Sequence, residues 1–190
     1  MPTENLWQAD AQQHVFRELV ESFSHPGKVQ ELAICNEFAS AHYAVLASLM
    51  DAETSLADPH ALLSNTDWPL LQARQAATDN ARFILVDGQR APDFQPALGT
   101  LASPEFGATL LIKVDTLGRG PLAMTLTGPG IAQQRELCVA GLHVDWLQQR
   151  VNWVEEFPLG VDMILCAATG IATLPRTTRI SITALSKGAA

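Results

Sequence analysis

The residues most able to do chemistry lie in one stretch, FPLGVDMILCAATGIATLPRTTRI, from Phe157 to Ile180. It carries a carboxylate, a thiol and a guanidinium in the order Asp162, Cys166, Arg176. That set raises three chemistries: proton transfer by Asp162, nucleophilic attack by Cys166, and anion binding at Pro175-Arg176-Thr177-Thr178. Cys166 sits inside the apolar run MILCAA, where a thiol has a raised pKa and is inert, so it reads as a core residue. Asp162 has two uses, as a base or ligand contact, or as a carboxylate accepting backbone N–H groups at the turn after Leu159-Gly160; the local pattern fits the turn better. Arg176 follows Pro175 on a stiff backbone, and Thr177 and Thr178 add hydroxyls. Together they could grip a phosphate or carboxylate. The competing use of Arg176 is an ion pair with a carboxylate of this chain or of a partner. Asp162, Arg176, Thr177 and Thr178 are therefore the candidate anion or interface site.

No other site signature stands out. The chain has no G-x-x-x-x-G-K-[ST] loop, no G-x-G-x-x-G after a strand and no G-x-S-x-G elbow. His14, His25, His42, His60 and His143 show no metal-ligand spacing, and no metal is expected. Gly128-Pro129-Gly130 could offer N–H groups to an anion, but Pro129 removes one donor and a plain turn fits better. A pyridoxal phosphate enzyme needs a lysine for its Schiff base and an acidic partner for the ring nitrogen. The three lysines, Lys28, Lys113 and Lys187, have no such setting, so no cofactor is expected.

The elements that must position these residues follow from hydrophobic spacing. DAQQHVFRELVESF reads as an amphipathic helix with Val15, Phe16, Leu19, Val20 and Phe23 on one broad face, stopped by Ser-His-Pro-Gly. SAHYAVLASLMD and DWPLLQARQAAT read as further helices, the latter starting at Asp67 just before Pro69. HVDWLQQRVNWVEE has two apolar stripes: Val144, Leu147, Val151 and Val154 on one, Leu142, Trp146 and Trp153 on the other. Two apolar faces predict deep burial; the alternative is that the Trp face meets another subunit. KVQEL, TSLA, RFILVDG, RELCVA, DMILCAA, IATLP and TRISIT read as strands. ATLLIKVDTL and PLAMTLTG, around Gly118-Arg119-Gly120, read as a hairpin or adjacent strands, and QRAPDFQPALGTLASPEFG as a long loop or short-turn region. Interleaved helices and strands, with strands paired late, predict an α/β fold with a mixed β-sheet flanked by helices.

The 190 residues predict one domain, 1–190, with the first eight or so and the last five flexible. Charged residues make up 17%, against about 25% in a typical soluble protein, which favours extensive burial, part of it at a subunit interface. A net charge of −8 argues against a nucleic-acid or anionic-membrane binder. No apolar run reaches the roughly 18–20 residues of a membrane span, the start lacks a signal-peptide pattern, and Cys35, Cys138 and Cys166 are too widely spaced for C-x-x-C chemistry. These features predict a soluble, cytoplasmic protein.

Four blocks resemble a known family: FRELVESFSHPGKV, PEFGATLLIKV, LTGPGI, and FPLGVDMIL followed by LPRTT. In their order and spacing, from about Asp10 to about Ile182, they are similar to the PhnH family, whose members are components of the carbon–phosphorus lyase core complex of phosphonate utilisation. The segment from Asp51 to Ser103 carries only its general character. The resemblance implies a fold like the large domain of pyridoxal phosphate-dependent transferases, without the cofactor-binding residues. It implies a homodimer in isolation and assembly with subunits G, I and J of the lyase. That complex places a phosphonate on the ribose of ATP, displacing adenine, to give ribose 1-phosphonate 5-triphosphate; subunit J, a radical iron–sulfur enzyme, later breaks the C–P bond, and subunit I resembles the nucleosidase component. The PhnH family has no assigned catalytic residues, so none is carried over. Three functions follow: an accessory subunit without catalysis of its own; a nucleotide- or phosphonate-binding subunit with its site at Arg176–Thr178; and a free-standing homodimer with another role.

Overall fold

A computed structural model describes residues 6–35 and 40–185. The elements in chain order are α1 (Ala9–Ser24), β1 (Gln30–Glu31), α2 (Ala41–Leu49), β2 (Ser55–Ala57), α3 (Asp67–Leu71), β3 (Arg74–Gln75), β4 (Phe83–Asp87), β5 (Leu98–Thr100), β6 (Ser103–Gly107), β7 (Thr109–Lys113), β8 (Thr116–Thr127), β9 (Arg135–Ala140), α4 (Asp145–Trp153), β10 (Asp162–Cys166), β11 (Gly170–Leu174) and β12 (Arg179–Leu185). The predicted α/β class with a mixed sheet is what the chain forms. Seven strands make the main sheet in the order β1-β11-β10-β7-β4-β2-β3. The run from β10 to β3 is parallel, and β11 pairs antiparallel to both β10 and β1.

The central strands are short apolar runs because both faces are covered. Ile84, Val86, Leu110, Ile112, Met163 and Leu165 point into one core, and Leu85, Leu111, Ile164 and Cys166 into the other. On the second face Val15 and Leu19 of α1 and Val45 and Leu46 of α2 pack. The first face is covered instead by a three-stranded antiparallel sheet, β12-β8-β9, and by α4. The flanking layers are thus helices on one side and sheet plus helix on the other.

Three elements depart from the sequence-based expectation. The helix at Asp67 stops at Leu71 because Gln72 turns left-handed at φ 57°, and Arg74-Gln75 then becomes an edge strand. ATLLIKVDTL and PLAMTLTG form neither a hairpin nor adjacent strands. Thr109–Lys113 enters the main sheet, while β8 runs through Gly118-Arg119-Gly120 as a bulge, Leu117 and Leu122 both opposing Val139. Gly118 and Gly120 adopt φ of 78° and 144°, values that side chains oppose. The expected loop region holds a small hairpin, β5 with β6.

In α4 the Trp stripe faces inward. Trp146 and Trp153 are 0% and 3% exposed and pack with Phe94, while Val151 on the other stripe is exposed. Their indole N–H groups donate to the Arg90 carbonyl and to Gln95. The aromatic face is therefore core, and the subunit-facing alternative for it does not hold. On α1, Val15 and Leu19 are buried, but Phe16 and Val20 remain about half exposed, at 49% and 50%.

Candidate functional site

The start of β10, the turn between β11 and β12, and α4 meet at one end of the main-sheet strands. β10 begins at Asp162, whose backbone N–H donates to the Ala108 carbonyl. β11 ends at Leu174, and the Pro175–Thr178 turn closes with the Thr178 N–H donating to the Pro175 carbonyl at 2.9 Å. Asp162 and Arg176 face each other across that end. The Arg176 backbone N–H donates to Asp162 Oδ1 at 2.7 Å, and its Nη2 and Nε donate to Oδ2 at 2.7 and 3.2 Å. Its Nη1 donates to the carbonyls of Pro104 and Pro158 at 2.9 and 3.1 Å. The side chains of this ion pair are 14% (Arg176) and 21% (Asp162) exposed. Every guanidinium nitrogen of Arg176 thus has a partner within the chain, and the Asp162 carboxylate takes a backbone N–H, as a turn carboxylate does, from a segment distant in sequence.

Gly107 explains how the guanidinium reaches so far. A methyl at Gly107 would strike the Gly160 carbonyl and press on both terminal nitrogens of Arg176. Thr177 is exposed, whereas Thr178 is 2% exposed, with its Oγ1 buried and unpaired.

Beneath the turn lies Arg150 of α4, only 4% exposed. Its Nη2 donates to the Pro175 and Thr178 carbonyls at 2.6 and 3.0 Å, while its Nε is buried without a partner. Burial pulls its pKa down to about 10, opposed by the Asp162 charge, so it is a cation at neutral pH. Sequence reading missed this residue, because an arginine within a helix is assigned by default to the wet face. The available signal was its place four residues after Trp146 and three before Trp153, on the inward stripe.

Arg150, Arg176, Thr177, Thr178 and Arg179 line a cleft of about 930 Å³ between α4 and β12. Its wall includes Leu147, Val151, Phe157, Ile180 and Ile182. Val151 and Phe157 are 64% exposed and Ile182 is 40% exposed. Cys166 lies elsewhere in the sheet, fully buried, its thiol pushed up by burial and secondarily by Cys35. Among the described residues, no group of three or more His, Cys, Asp or Glu side chains could hold a metal ion. Lys28 forms a surface pair with Glu21, Lys113 is exposed at the end of β7, and Lys187 lies outside the described residues.

The four sequence blocks meet around this region. In the first, the His25 and Pro26 carbonyls accept from Arg135 at 2.9 and 2.7 Å, and the Gly27 N–H donates to Thr173 of β11. The second supplies Pro104 and Gly107 to Arg176. The third and fourth are neighbours where Gly128 lies against the Thr177 carbonyl. The family described as "Bacterial phosphonate metabolism protein (PhnH)" matches residues 4–181.

The chain belongs to the PhnH family. Two curated relatives agree. A putative C-P lyase subunit protein, HtxG, of Stutzerimonas stutzeri is 45% identical over 177 residues, covering 93% of this chain and 89% of the relative. A protein of Rhizobium meliloti (strain 1021), named alpha-D-ribose 1-methylphosphonate 5-triphosphate synthase subunit PhnH, is 30% identical over 179 residues, covering 88% and 89%. The blocks that carry the PhnH resemblance are therefore contact points between distant segments. Among the described residues of this PhnH chain, no helix is long and apolar enough to cross a membrane.

Proposed function

We propose that the chain is an accessory, non-catalytic subunit of a carbon–phosphorus lyase core complex in phosphonate catabolism. In that role it supports transfer of a phosphonate to the ribose of ATP with release of adenine. The observation that carries this reading is the family match over residues 4–181, joined by a 45% identical relative named as a C-P lyase subunit. The site chemistry supports it. Asp162, the carboxylate best placed to act as a base, is held by Arg176 in a pair that organises backbone rather than a substrate. The partners in this reading are subunits G, I and J, with a homodimer in isolation, and Val151, Phe157 and Ile182 are apolar side chains available for such contacts. A single cytoplasmic domain with a transferase-like sheet and no pyridoxal phosphate fits the same assignment. Co-expression with G, I and J should give one stable complex on gel filtration; a chain that elutes apart from all three refutes it. A free-standing homodimer with another role predicts that deleting the gene leaves growth on a phosphonate as sole phosphorus source intact.

A second reading is favoured by the cleft itself. At about 930 Å³ it is large enough for a nucleotide-sized ligand, and it is bordered by Arg176, Thr177 and Thr178, with Asp162 behind them. In this reading the chain makes a phosphonate or ATP contact within the complex. Calorimetry with ATP and with methylphosphonate tests it, and no heat with either, for the chain alone or in its complex, refutes it.

A further inference from the structure

The second reading leaves open which side chain would meet the anion, and Arg176 is poorly placed for it. Its guanidinium is shared among Asp162 and two carbonyls, so an incoming oxyanion would have to displace an ion pair already formed. Arg150 is in the opposite condition. It is only 4% exposed, yet among the described residues no carboxylate lies within 4 Å of it. Asp162, whose charge does act on it, is already committed to Arg176. Burying a cation without a countercharge is expensive, and two neutral carbonyls on Nη2 do not cancel the charge.

A second observation points the same way. Roughly nine in ten buried polar groups have a hydrogen-bond partner. Arg150 Nε and Thr178 Oγ1 are both buried and unpaired, and both residues line the cleft. Nε can only donate, and the threonine hydroxyl can also donate. Both atoms are closed to solvent as the turn stands, so a ligand in the cleft meets them only when the Pro175–Thr178 turn shifts; a water admitted there would leave the charge uncompensated, and an oxyanion would satisfy both.

We propose that the cleft between α4 and β12 is an oxyanion site in which Arg150 supplies the charge and Thr178 the hydroxyl, while Arg176 is scaffold. The ligand class is a small molecule with a phosphoryl or phosphonyl head, its body lying along Leu147, Val151 and Ile180. This rests on the second reading above and specifies its chemistry.

The test is calorimetry and phosphorus NMR on the full chain with inorganic phosphate, methylphosphonate and ATP, using Thr178→Val, Arg150→Lys and Arg176→Lys. Losing a hydrogen bond to a charged group should weaken binding about tenfold or more in Thr178→Val, and Arg150→Lys should weaken it at least as much. Arg176→Lys should lower the melting temperature and weaken binding less than either other variant, because on this proposal its guanidinium touches protein only. Binding that survives both Thr178→Val and Arg150→Lys overturns the proposal while leaving the second reading standing. No binding of any of the three compounds overturns both. If oxyanions do not bind, and Thr178→Val instead loses co-purification with partner subunits, the site takes a protein carboxylate and the small-molecule assignment fails. Should Arg150→Lys not fold, Thr178→Val, which keeps shape and volume, decides the matter alone.

Discussion

Replacing Asp162 by Ala is the sharpest probe of the place where β10, β6 and the Pro175–Thr178 turn meet. The substitution leaves Arg176 with two carbonyls and no countercharge, and strands its backbone N–H. Removing one partner of a fully buried pair costs about 3–5 kcal/mol. Here the side chains are 14% and 21% exposed, so water screens part of the loss and about 2–3 kcal/mol is expected. For a chain of this size that lowers the melting temperature by about 5–10 °C. Asp162→Asn keeps an acceptor for the Arg176 N–H and should cost about half as much. Arg176→Met removes the same interaction from the other side, so a double-mutant cycle should return a coupling of about 2 kcal/mol. Urea melts followed by tryptophan fluorescence supply the four stabilities. A coupling below about 0.5 kcal/mol would mean that Asp162 and Arg176 act independently, and the structural account of the pair would fail.

Three further outcomes follow from single sites. Burial, then the Lys113 charge, hold His42 down at about 4 against 6.5, with Asp67 opposing. The unfolded chain therefore binds a proton that the folded chain refuses; the stability contributed by neutral His42 is full above pH 6.5 and lost as pH falls towards 4, at most about 3 kcal/mol. His42→Leu should flatten urea-melt stability between pH 7.5 and 4.5, and an unchanged slope counts against the assignment. Gly107→Ala should destabilise by about 2 kcal/mol or more, since its methyl meets the Gly160 carbonyl and the Arg176 guanidinium; a melting temperature equal to wild type contradicts the packing. Cys166, 0% exposed and with a raised pKa, should resist iodoacetamide until the chain unfolds, and native labelling there, read by mass spectrometry, would refute its burial.

The central strands were legible because a strand covered on both faces has to be an apolar run, as in Phe83–Asp87 and Asp162–Cys166. The end of α3 was not, because a glutamine at φ 57° is a tertiary outcome that composition does not announce. The β8 bulge was hidden for a related reason: Gly-Arg-Gly suits a hairpin turn as well as a bulge, and only Val139 of β9, opposing both sides of it, decides. At the site, Asp162, Arg176, Thr177 and Thr178 could be singled out from type and spacing, but their pairing spans chain separations of 14 to 72 residues. Arg150 escaped notice because its partners, Pro175 and Thr178, lie 25 and 28 residues on.

Arg176 also sets a time order on the making of the molecule. It bridges to positions 14, 18 and 72 residues earlier in the chain: Asp162, Pro158 and Pro104. A nascent chain that has emerged only as far as Leu174 has all three acceptors, joined so far only by backbone bonds such as Gly160 to Leu98 and Asp162 to Ala108. The Pro-Arg-Thr-Thr turn then adds the side-chain ties that draw together the β5–β6 hairpin, the segment before β10 and β10 itself. A later-made segment is thus the latch for parts made long before it.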